Sequence, residues 1–345
     1  GGTSVQDAPA IRRLVEIVET RKGLNRLVVV SALAKVTDSL VALCKDCEAG
    51  NRPQALARVE ELKERHLAVA RELGLKTETI DQVSELFLDL EGLVSALGAL
   101  KEVSPRSKDR LLATGELGSS LLVSGALESI GRSSIVDSRD FIVTDSQYGG
   151  AQVNFSATNA RISLVTWDGA EEIKVAQGFI GKDQNGVTTT LGRGGSDYSA
   201  AVYGTCLSAV KIEIWTDVDG ILTTDPRLVP EATILPKMHF SEAAELAYFG
   251  AKVLHPATIY PALEKRIPVW ILNSKNPTAR GTEITFSEER APAGISGIAF
   301  KRNVTLVNIY STRMLGAHGF LKSVFDIFAR HQLSVDLIST SEVNV

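Results

Sequence analysis

GFIGKDQNGVTTTLGRGGSDYSAA, Gly178 to Ala201, decides the fold, together with IWTDVDGILTTDPR from Ile214 to Arg227. The apolar run EIKVAQGFIG leads in and ends in glycine and a polar loop, as a buried strand does on leaving a sheet. Three threonines follow, then Gly192, Arg193, Gly194, Gly195, Ser196 and Asp197, and then YSAAVY, which reads as the first turns of a helix. Glycines let a backbone approach a ligand, and the first N–H groups of a helix are unpaired donors, so the pair makes an anion site. Arg193 adds a fork that fits a carboxylate or phosphate, and Asp197 is placed to orient a cation or metal. The loop matches neither Gly-x-Gly-x-x-Gly nor the phosphate-loop spacing ending in Gly-Lys-Ser/Thr. Such a loop taken alone is a common turn, and its neighbours decide its meaning.

Upstream, Gly1 to Val5 reads as a glycine turn and Asp7–Arg21 as an amphipathic helix. RLVVVSAL, Arg26–Leu33, reads as a fully buried strand whose end carries Ser31, with Thr37 and Asp38 after a short loop and a helix from Ser39. Residues 38–131 form a helical insertion broken near Gly50–Pro53, Gly74, Pro105 and Gly131. Within it Glu116, in Thr114-Gly115-Glu116, stands among buried-looking neighbours, where a charge needs a partner. Strands are expected at Ser134–Asp137, Phe141–Val143, Glu172–Ile180 and Val210–Trp215, with a helix at Asp197–Leu207. That alternation predicts an α/β fold, a mostly parallel sheet covered on both faces, with its ligand outside the carboxyl ends of the strands. The polar clusters Ser31–Thr37, Gly178–Gly181 and Thr216–Asp217 each follow an apolar strand, which puts three loops at one edge.

Downstream, Ser241–Phe249 and Pro256–Arg266 read as helices around a turn at Gly250-Ala251-Lys252, with a strand at Pro268–Leu272. Lys252 is within reach of a phosphate, while His255 before Pro256 reads as a turn histidine. The segment Phe286–Gly294 gathers Ser, Glu, Pro and Gly and marks a boundary. Beyond it, strands at Gly297–Phe300 and Val304–Tyr310, a helix at Gly319–His331 and a strand at Ser334–Thr340 give a partial ferredoxin-like unit.

With 345 residues the chain suits a large domain plus a small one. The net charge of −4, from 37 basic and 41 acidic residues, argues against nucleic acid as the main partner. No apolar run approaches the ~20 residues that span a bilayer, so no membrane partner is expected. Three cysteines make no disulfide framework and favour a reducing compartment. Cys44 and Cys47 form a C-x-x-C pair without two further ligands nearby, and no protein metal site is identified. The chain begins at Gly1 without methionine and stops at Val345 within a strand-like run, so it reads as part of a longer protein.

GGTSV at 1–5, VVVSALAKVTD at 28–38, TGE at 114–116, the 178–201 block, WTDVDGILTTDPR at 215–227 and FGAKVLHPAT at 249–258 resemble the aspartate kinase family in order and approximate spacing. The tail, TRMLGAHGFLKSVFDIF followed by SVDLISTSEV, resembles the first of that family's two regulatory ACT modules, closest to the lysine-sensitive, single-function type. The resemblance covers essentially the whole chain. It implies the amino acid kinase fold over 1–286 and a partial ACT region over 295–345. It also implies transfer of the γ-phosphoryl of ATP, with Mg2+, to the β-carboxylate of L-aspartate, a step toward lysine, threonine and methionine. By motif, aspartate is held by Thr37, Glu116, Phe179, Arg193, Gly194 and Ser196, with Arg193 on the α-carboxylate and Glu116 on the α-ammonium. Ser31 and Asp197, with Gly1 and Gly2, fall at the phosphoryl-transfer end. Thr216, Asp217, Leu222, Arg227 and Lys252 match nucleotide-binding positions. A carboxylate is already a nucleophile, so no general base is required, and catalysis rests on positioning and charge neutralisation.

Some positions depart from the family pattern. Its motif begins Lys-Phe-Gly-Gly-Thr-Ser, and this chain begins beyond that charge-neutralising lysine. A tyrosine that lies against the nucleotide is here Leu222, and Ala317 replaces a serine. Met314, Gly319, Leu321, Ser334, Val335, Asp336, Thr340, Ser341 and Glu342 match positions that bind L-lysine as allosteric inhibitor. The resemblance further implies a homodimer or larger assembly, in the cytoplasm or, for a plant or alga, a plastid. The alternatives are a catalytically inert amino-acid sensor, the kinase part of a bifunctional aspartate kinase–homoserine dehydrogenase, or a kinase for acetylglutamate, carbamate or UMP. The last group is expected to lack an ACT tail and to carry a different loop at GRGGSD.

Overall fold

The computed structural model describes residues 1–169, 172–248, 260–262, 265–286, 295–300, 303–311, 318–331, 333, 335 and 337–340. They fall into two compact units, Gly1–Phe300 and Lys301–Val345.

The first unit opens with a single 3-10 turn, Gly2–Val5, and helix α1, Ala8–Glu19. Asp7 starts α1 by accepting from the Ala10 N–H at 2.9 Å, with Pro9 in the first turn where its missing N–H costs nothing. Strand β1 (Arg26–Val30) leads to α2 (Val36–Glu48), α3 (Arg52–Leu73), α4 (Thr77–Leu100) and α5 (Pro105–Leu127). The expected breaks are where the turn chemistry put them. Gly74 closes α3 in the left-handed conformation, and Ser104 opens α5 by accepting from Ser107 N–H at 3.1 Å ahead of Pro105. The helices bury one large apolar core against β1, including Leu33, Leu40, Leu43, Phe87, Leu111 and Leu122. Cys44 and Cys47, three residues apart on α2, belong to this core as free thiols, and burial pushes Cys44 up to about 11. That makes them packing residues rather than redox or zinc ligands.

After α5 come β2 (Ser133–Val136), α6 (Ser138–Phe141), β3 (Val143–Thr144), α7 (Phe155–Ile162), β4 (Ile173–Gln177), β5 (Ile180–Asp183), β6 (Thr188–Thr190) and α8 (Gly195–Cys206). The unit continues through β7 (Ile212–Thr216), β8 (Lys237–His239), α9 (Phe240–Tyr248), β9 (Val269–Asn273) and β10 (Thr282–Thr285). The strands form three ladders, in orders β1-β4-β2, β3-β5-β6 and β7-β9-β10-β8. Of the seven pairings among the described residues five are parallel, as the alternation of strand and helix requires, and two are antiparallel. No described helix is long and apolar enough to cross a membrane.

Several boundaries differ from the sequence reading. The helix expected from Ser39 begins at Val36, so Thr37 and Asp38 lie in its first turn; Lys35, in the left-handed conformation, reverses the chain just before it. The strand expected over Glu172–Ile180 is two strands in different ladders, broken at Gly178-Phe179. Phe179 takes a φ of +66°, held by packing described below. β1 ends at Val30 and is only half-buried at Leu27–Val29, because its free edge faces a cavity of about 540 Å3 shared with β7.

In the second unit the helix forms at Phe320–Arg330, capped by Gly319 at φ +84°. The flanking residues expected as strands, 304–309 and 337–340, carry no ladder; Val304, Leu306, Leu337 and Ile338 are exposed. Without a hydrogen-bonded neighbour, β-branched and apolar content does not make a strand. Gly297–Phe300 also lies outside any ladder, although Ile298 N–H donates to Thr223 carbonyl at 2.8 Å. The turn at 250–252, His255 and Ala317 lie outside the described residues.

Candidate active site

The carboxyl ends of β1, β4 and β7 meet at one edge, tied by backbone contacts across the sequence. Gly178 N–H donates to Val30 carbonyl at 2.8 Å, joining the ends of β1 and β4. The Gly1 amino group donates to Trp215 carbonyl at 2.9 Å, and Ser4 Oγ reaches the same carbonyl at 3.3 Å and Ser274 Oγ at 2.8 Å. The 3-10 turn is thereby fastened to the end of β7. Its other side presses on the loop after β1, where a Cβ on Gly2 would stand 3.0 Å from Ala32 carbonyl oxygen.

The N-terminus of α8 is pushed against the junction of β4 and β5. A Cβ on Gly178 would stand 2.7 Å from Ser196 Cα, and one on Gly195 would stand 2.6 Å from the Phe179 ring. Ser199 Oγ accepts from Phe179 N–H at 3.0 Å and donates to Gly195 carbonyl at 2.9 Å, which holds Phe179 in its unusual conformation. The two glycines are therefore required by close approach. Gly178→Ala is expected to lower stability by roughly 1–3 kcal/mol through backbone overlap. Gly92, exposed on α4 with nothing within 4 Å of an added Cβ, is the control, and its Ala variant is expected to gain about 0.5–1 kcal/mol. Urea melts of both variants check the pair, and equal stabilities would contradict the packing.

Glu116 projects from α5 to the end of β1 and is 3% exposed. Its Oε1 accepts from Ala32 N–H at 3.1 Å, and its Oε2 is buried without a partner. Burial pushes this carboxyl up to about 8, against the opposing pull of the Ala32 and Glu116 N–H groups. An orphaned buried carboxylate oxygen is costly unless a cation meets it. Asp197, in the first turn of α8, is likewise pushed up by burial, opposed by the Gly1 amino group. Arg193 is exposed and makes no hydrogen bond or ion pair among the described residues; Gly194 beside it is left-handed at φ +69° and opens α8.

The structure thus brings together Gly1, Gly2, Ser31, Glu116, Phe179, Arg193, Gly194, Ser196, Asp197 and Thr216. Thr37 stands half-buried at the start of α2, just beyond Ala34, which Gly2 packs against. Ser31, Ser196 and Asp197 line the cavity between the edges of β1 and β7. Thr216 carbonyl accepts from Ser274, and its hydroxyl lies 3.4 Å from Asp217 Oδ1. Leu222 and Arg227 follow on the loop after β7 and make no hydrogen bond to the cluster. The Arg227 guanidinium is engaged by Asp225, at 2.9 Å from Nε and 2.6 Å from Nη2. Lys252 lies outside the described residues.

Of the tail positions, Gly319 caps the second unit's helix, Leu321 and Thr340 are exposed and Val335 is half-buried. Met314, Ser334, Asp336, Ser341 and Glu342 lie outside the described residues. The sequence reading did not single out Asp109, a fully buried carboxylate on α5 that binds the loop leading to Arg193. Its available signal was position, seven residues before Glu116 and so on the same helix face.

At one sheet edge the α/β unit thus offers a helix N-terminus and an exposed arginine, which suit anions, beside a buried carboxyl with one unpartnered oxygen, which suits a cation. The profile of the amino acid kinase family matches residues 1–273, and the chain belongs to that family. Within it the similarity is to aspartokinases. The chain is 41% identical over its whole length to lysine-sensitive aspartokinase 3 of Escherichia coli, covering 76% of that protein. It is 39% identical to the chloroplastic aspartokinase 3 of Arabidopsis thaliana, of which it spans 62%. Its structure matches that of E. coli aspartokinase III in complex with aspartate and ADP (R-state), with a TM-score of 0.86, 40% identity and coverage of 100% of this chain and 76% of the other.

Proposed function

We infer that this chain is an aspartate kinase, transferring the γ-phosphoryl of ATP to the β-carboxylate of L-aspartate to give 4-phospho-L-aspartate. The observation that carries the reading is the buried, unpartnered Oε2 of Glu116, which calls for a cation, at the same edge as the exposed guanidinium of Arg193, which makes no ion pair among the described residues and suits a carboxylate. An α-amino acid supplies both. The relatives support the identity of that amino acid, since one was solved with aspartate and ADP.

Arg193 takes the α-carboxylate through its fork, and Glu116 takes the α-ammonium. Thr37, Phe179 and the Gly194–Ser196 backbone close the pocket around the side chain. A β-carboxylate oxygen, ionised at neutral pH, attacks the γ-phosphorus; the new O–P bond forms as the bond to the β,γ-bridging oxygen breaks, and ADP leaves with that electron pair. No proton moves, so no general base is needed. The N-terminus of α8, with Ser31, Gly1 and Gly2, receives the transferring phosphoryl. Thr216, Asp217, Leu222, Arg227 and Lys252 hold the nucleotide. Arg227 must exchange its Asp225 partner to reach a phosphate.

No group of three or more metal-binding side chains occurs among the described residues. That suits Mg2+, which binds through one or two carboxylates and the nucleotide's own phosphates. Asp197, which lines the cavity from the first turn of α8, and Asp217, directly after β7, fit as those ligands. Bound there, the ion would neutralise phosphate charge.

Residues 1–286 form the catalytic part and 295–345 the regulatory part, with L-lysine as inhibitor, in a homodimer or larger assembly. The lysine-sensitive bacterial relative supports the inhibitor, and the free thiols and chloroplastic relatives support a cytoplasmic or plastid setting. The test is ADP formation and aspartyl hydroxamate trapping, with and without L-lysine. Aspartate-dependent turnover is expected. ADP formation that ignores aspartate, or runs equally with N-acetylglutamate, contradicts the reading; lysine binding without turnover identifies a sensor instead.

A further inference from the structure

Asp109 is 1% exposed, yet it forms no ion pair among the described residues. All its bonds go to segments far along the chain. Its Oδ2 accepts from Gly149 N–H at 3.0 Å and from Thr190 N–H at 2.8 Å, and its Oδ1 accepts from Thr190 Oγ1 at 2.9 Å. Seven residues later on α5 stands Glu116, on the same helix face and about 10.5 Å further along the axis.

The Thr190 end of this clamp lies three residues before Arg193. Thr190 carbonyl accepts from Ala151 N–H at 2.9 Å, and Leu191 N–H donates to Phe179 carbonyl at 2.8 Å. A Cβ on Gly192 would meet Gly149 carbonyl oxygen at 3.3 Å. The strand leading to the arginine is therefore pinned residue by residue up to Gly192, and Gly195 N–H donates to Gly192 carbonyl at 3.1 Å, closing the turn that carries Arg193. α5 alone carries both the Glu116 anchor and the carboxylate that fixes this strand.

We propose that Asp109 is a positioning residue that sets the separation of Glu116 and Arg193, the two anchors for an α-amino acid. The proposal rests on the aspartate reading above. A misplacement of about 1 Å is enough to cost orders of magnitude where two anchors must be satisfied at once. Asp109 bonds to Gly149 and Thr190 and to none of the positions proposed for the nucleotide, so its loss should fall on one substrate. Burial raises the Asp109 carboxyl above its ordinary range, while the Gly149 and Thr190 bonds and the charge of Lys108 pull it back.

The test is steady-state kinetics on the wild-type chain and on Asp109→Ala, Asp109→Asn and Thr190→Val, with melting temperatures measured in parallel. Asp109→Ala is expected to raise the KM for aspartate by roughly tenfold or more and to leave the KM for ATP within about threefold. Asp109→Asn keeps an oxygen for the two N–H donors and turns its amide toward Thr190 Oγ1, so it is expected to restore the aspartate KM to within about threefold of wild type. Thr190→Val removes one of the three bonds and is expected to raise the aspartate KM alone by roughly two- to fivefold. A purely structural role predicts lower melting temperatures and fewer active molecules with both KM values unchanged. That outcome, or equal rises for both substrates, overturns the proposal; if Asp109→Ala does not fold, Thr190→Val decides. A wild-type chain with no aspartate turnover overturns the functional reading and the clamp with it, whereas wild-type turnover with an unmoved aspartate KM in the variants overturns the clamp alone.

Discussion

Glu116→Gln is expected to raise the melting temperature above pH 8 and to abolish useful aspartate binding at the same time. In the folded chain this carboxyl holds its proton up to about pH 8, because burial opposes ionisation. In the unfolded chain it ionises as an ordinary glutamate at about 4.3. Between those values the folded state binds the extra proton, so stability falls as pH rises through the window. The native chain therefore loses nothing from Glu116 below about pH 4, and the loss is complete above about pH 8. Gln keeps the shape and the acceptor for Ala32 N–H without the ionisation. The advantage of the variant should grow from about pH 5 to pH 8. It reaches a few kcal/mol at most, because a tenfold difference in proton affinity between folded and unfolded chains is worth about 1.4 kcal/mol. Function moves the other way. An amide cannot neutralise an ammonium, and removing one partner of a buried charge pair costs about 2–5 kcal/mol, or roughly 30- to 5,000-fold in aspartate KM. Thermal melts across pH 5–9 and aspartate kinetics check both halves. A variant that is neither more stable at alkaline pH nor weaker for aspartate would remove Glu116 from the site.

Arg193→Ala carries the second large effect. The side chain is exposed and without a partner among the described residues, so its loss should change stability by less than about 0.5 kcal/mol. Loss of a charge-assisted, two-point contact to the α-carboxylate should raise the aspartate KM by roughly a hundredfold, leaving the ATP KM nearly unchanged. Arg193→Lys should recover only part of this, because a single ammonium cannot reproduce the fork. Unchanged aspartate kinetics in the alanine variant would reassign the loop.

The contrast between these residues and Asp109 explains what the sequence could reveal. Helix breaks at Gly74 and Pro105 are set by local backbone chemistry, so they could be read residue by residue, whereas α8, expected from Asp197, starts two residues earlier at Gly195 behind the left-handed Gly194. Glu116 was legible because a carboxylate inside LLATGELGSSLLVSGAL has few harmless explanations. The break between β4 and β5 was not. EIKVAQGFIG alternates and then turns apolar with only Gly178 to mark a break, and the turn at Phe179 is imposed by Ser199 and Gly195, which arrive from 20 and 16 residues later. Strands β6, β8 and β10 escaped because each is three or four residues long and is defined by its ladder. Helix α7 escaped because FSATNARI is weakly patterned; it is started by Asn154 accepting from Ala157 N–H at 3.1 Å. Asp109 has no local oddity at all, and its meaning lies wholly in Gly149 and Thr190, 40 and 81 residues away.

Calorimetric titration of the wild-type chain at pH 7 with L-aspartate and with succinate tests the central claim most directly. Succinate keeps both carboxylates and lacks only the ammonium. If Glu116 meets that ammonium, L-aspartate should bind roughly 30-fold or more tightly than succinate. Its binding should also release close to one proton, since Glu116 is protonated in the free chain at that pH and must ionise to pair. Succinate that binds as tightly as L-aspartate, with no proton released by either ligand, would contradict the account.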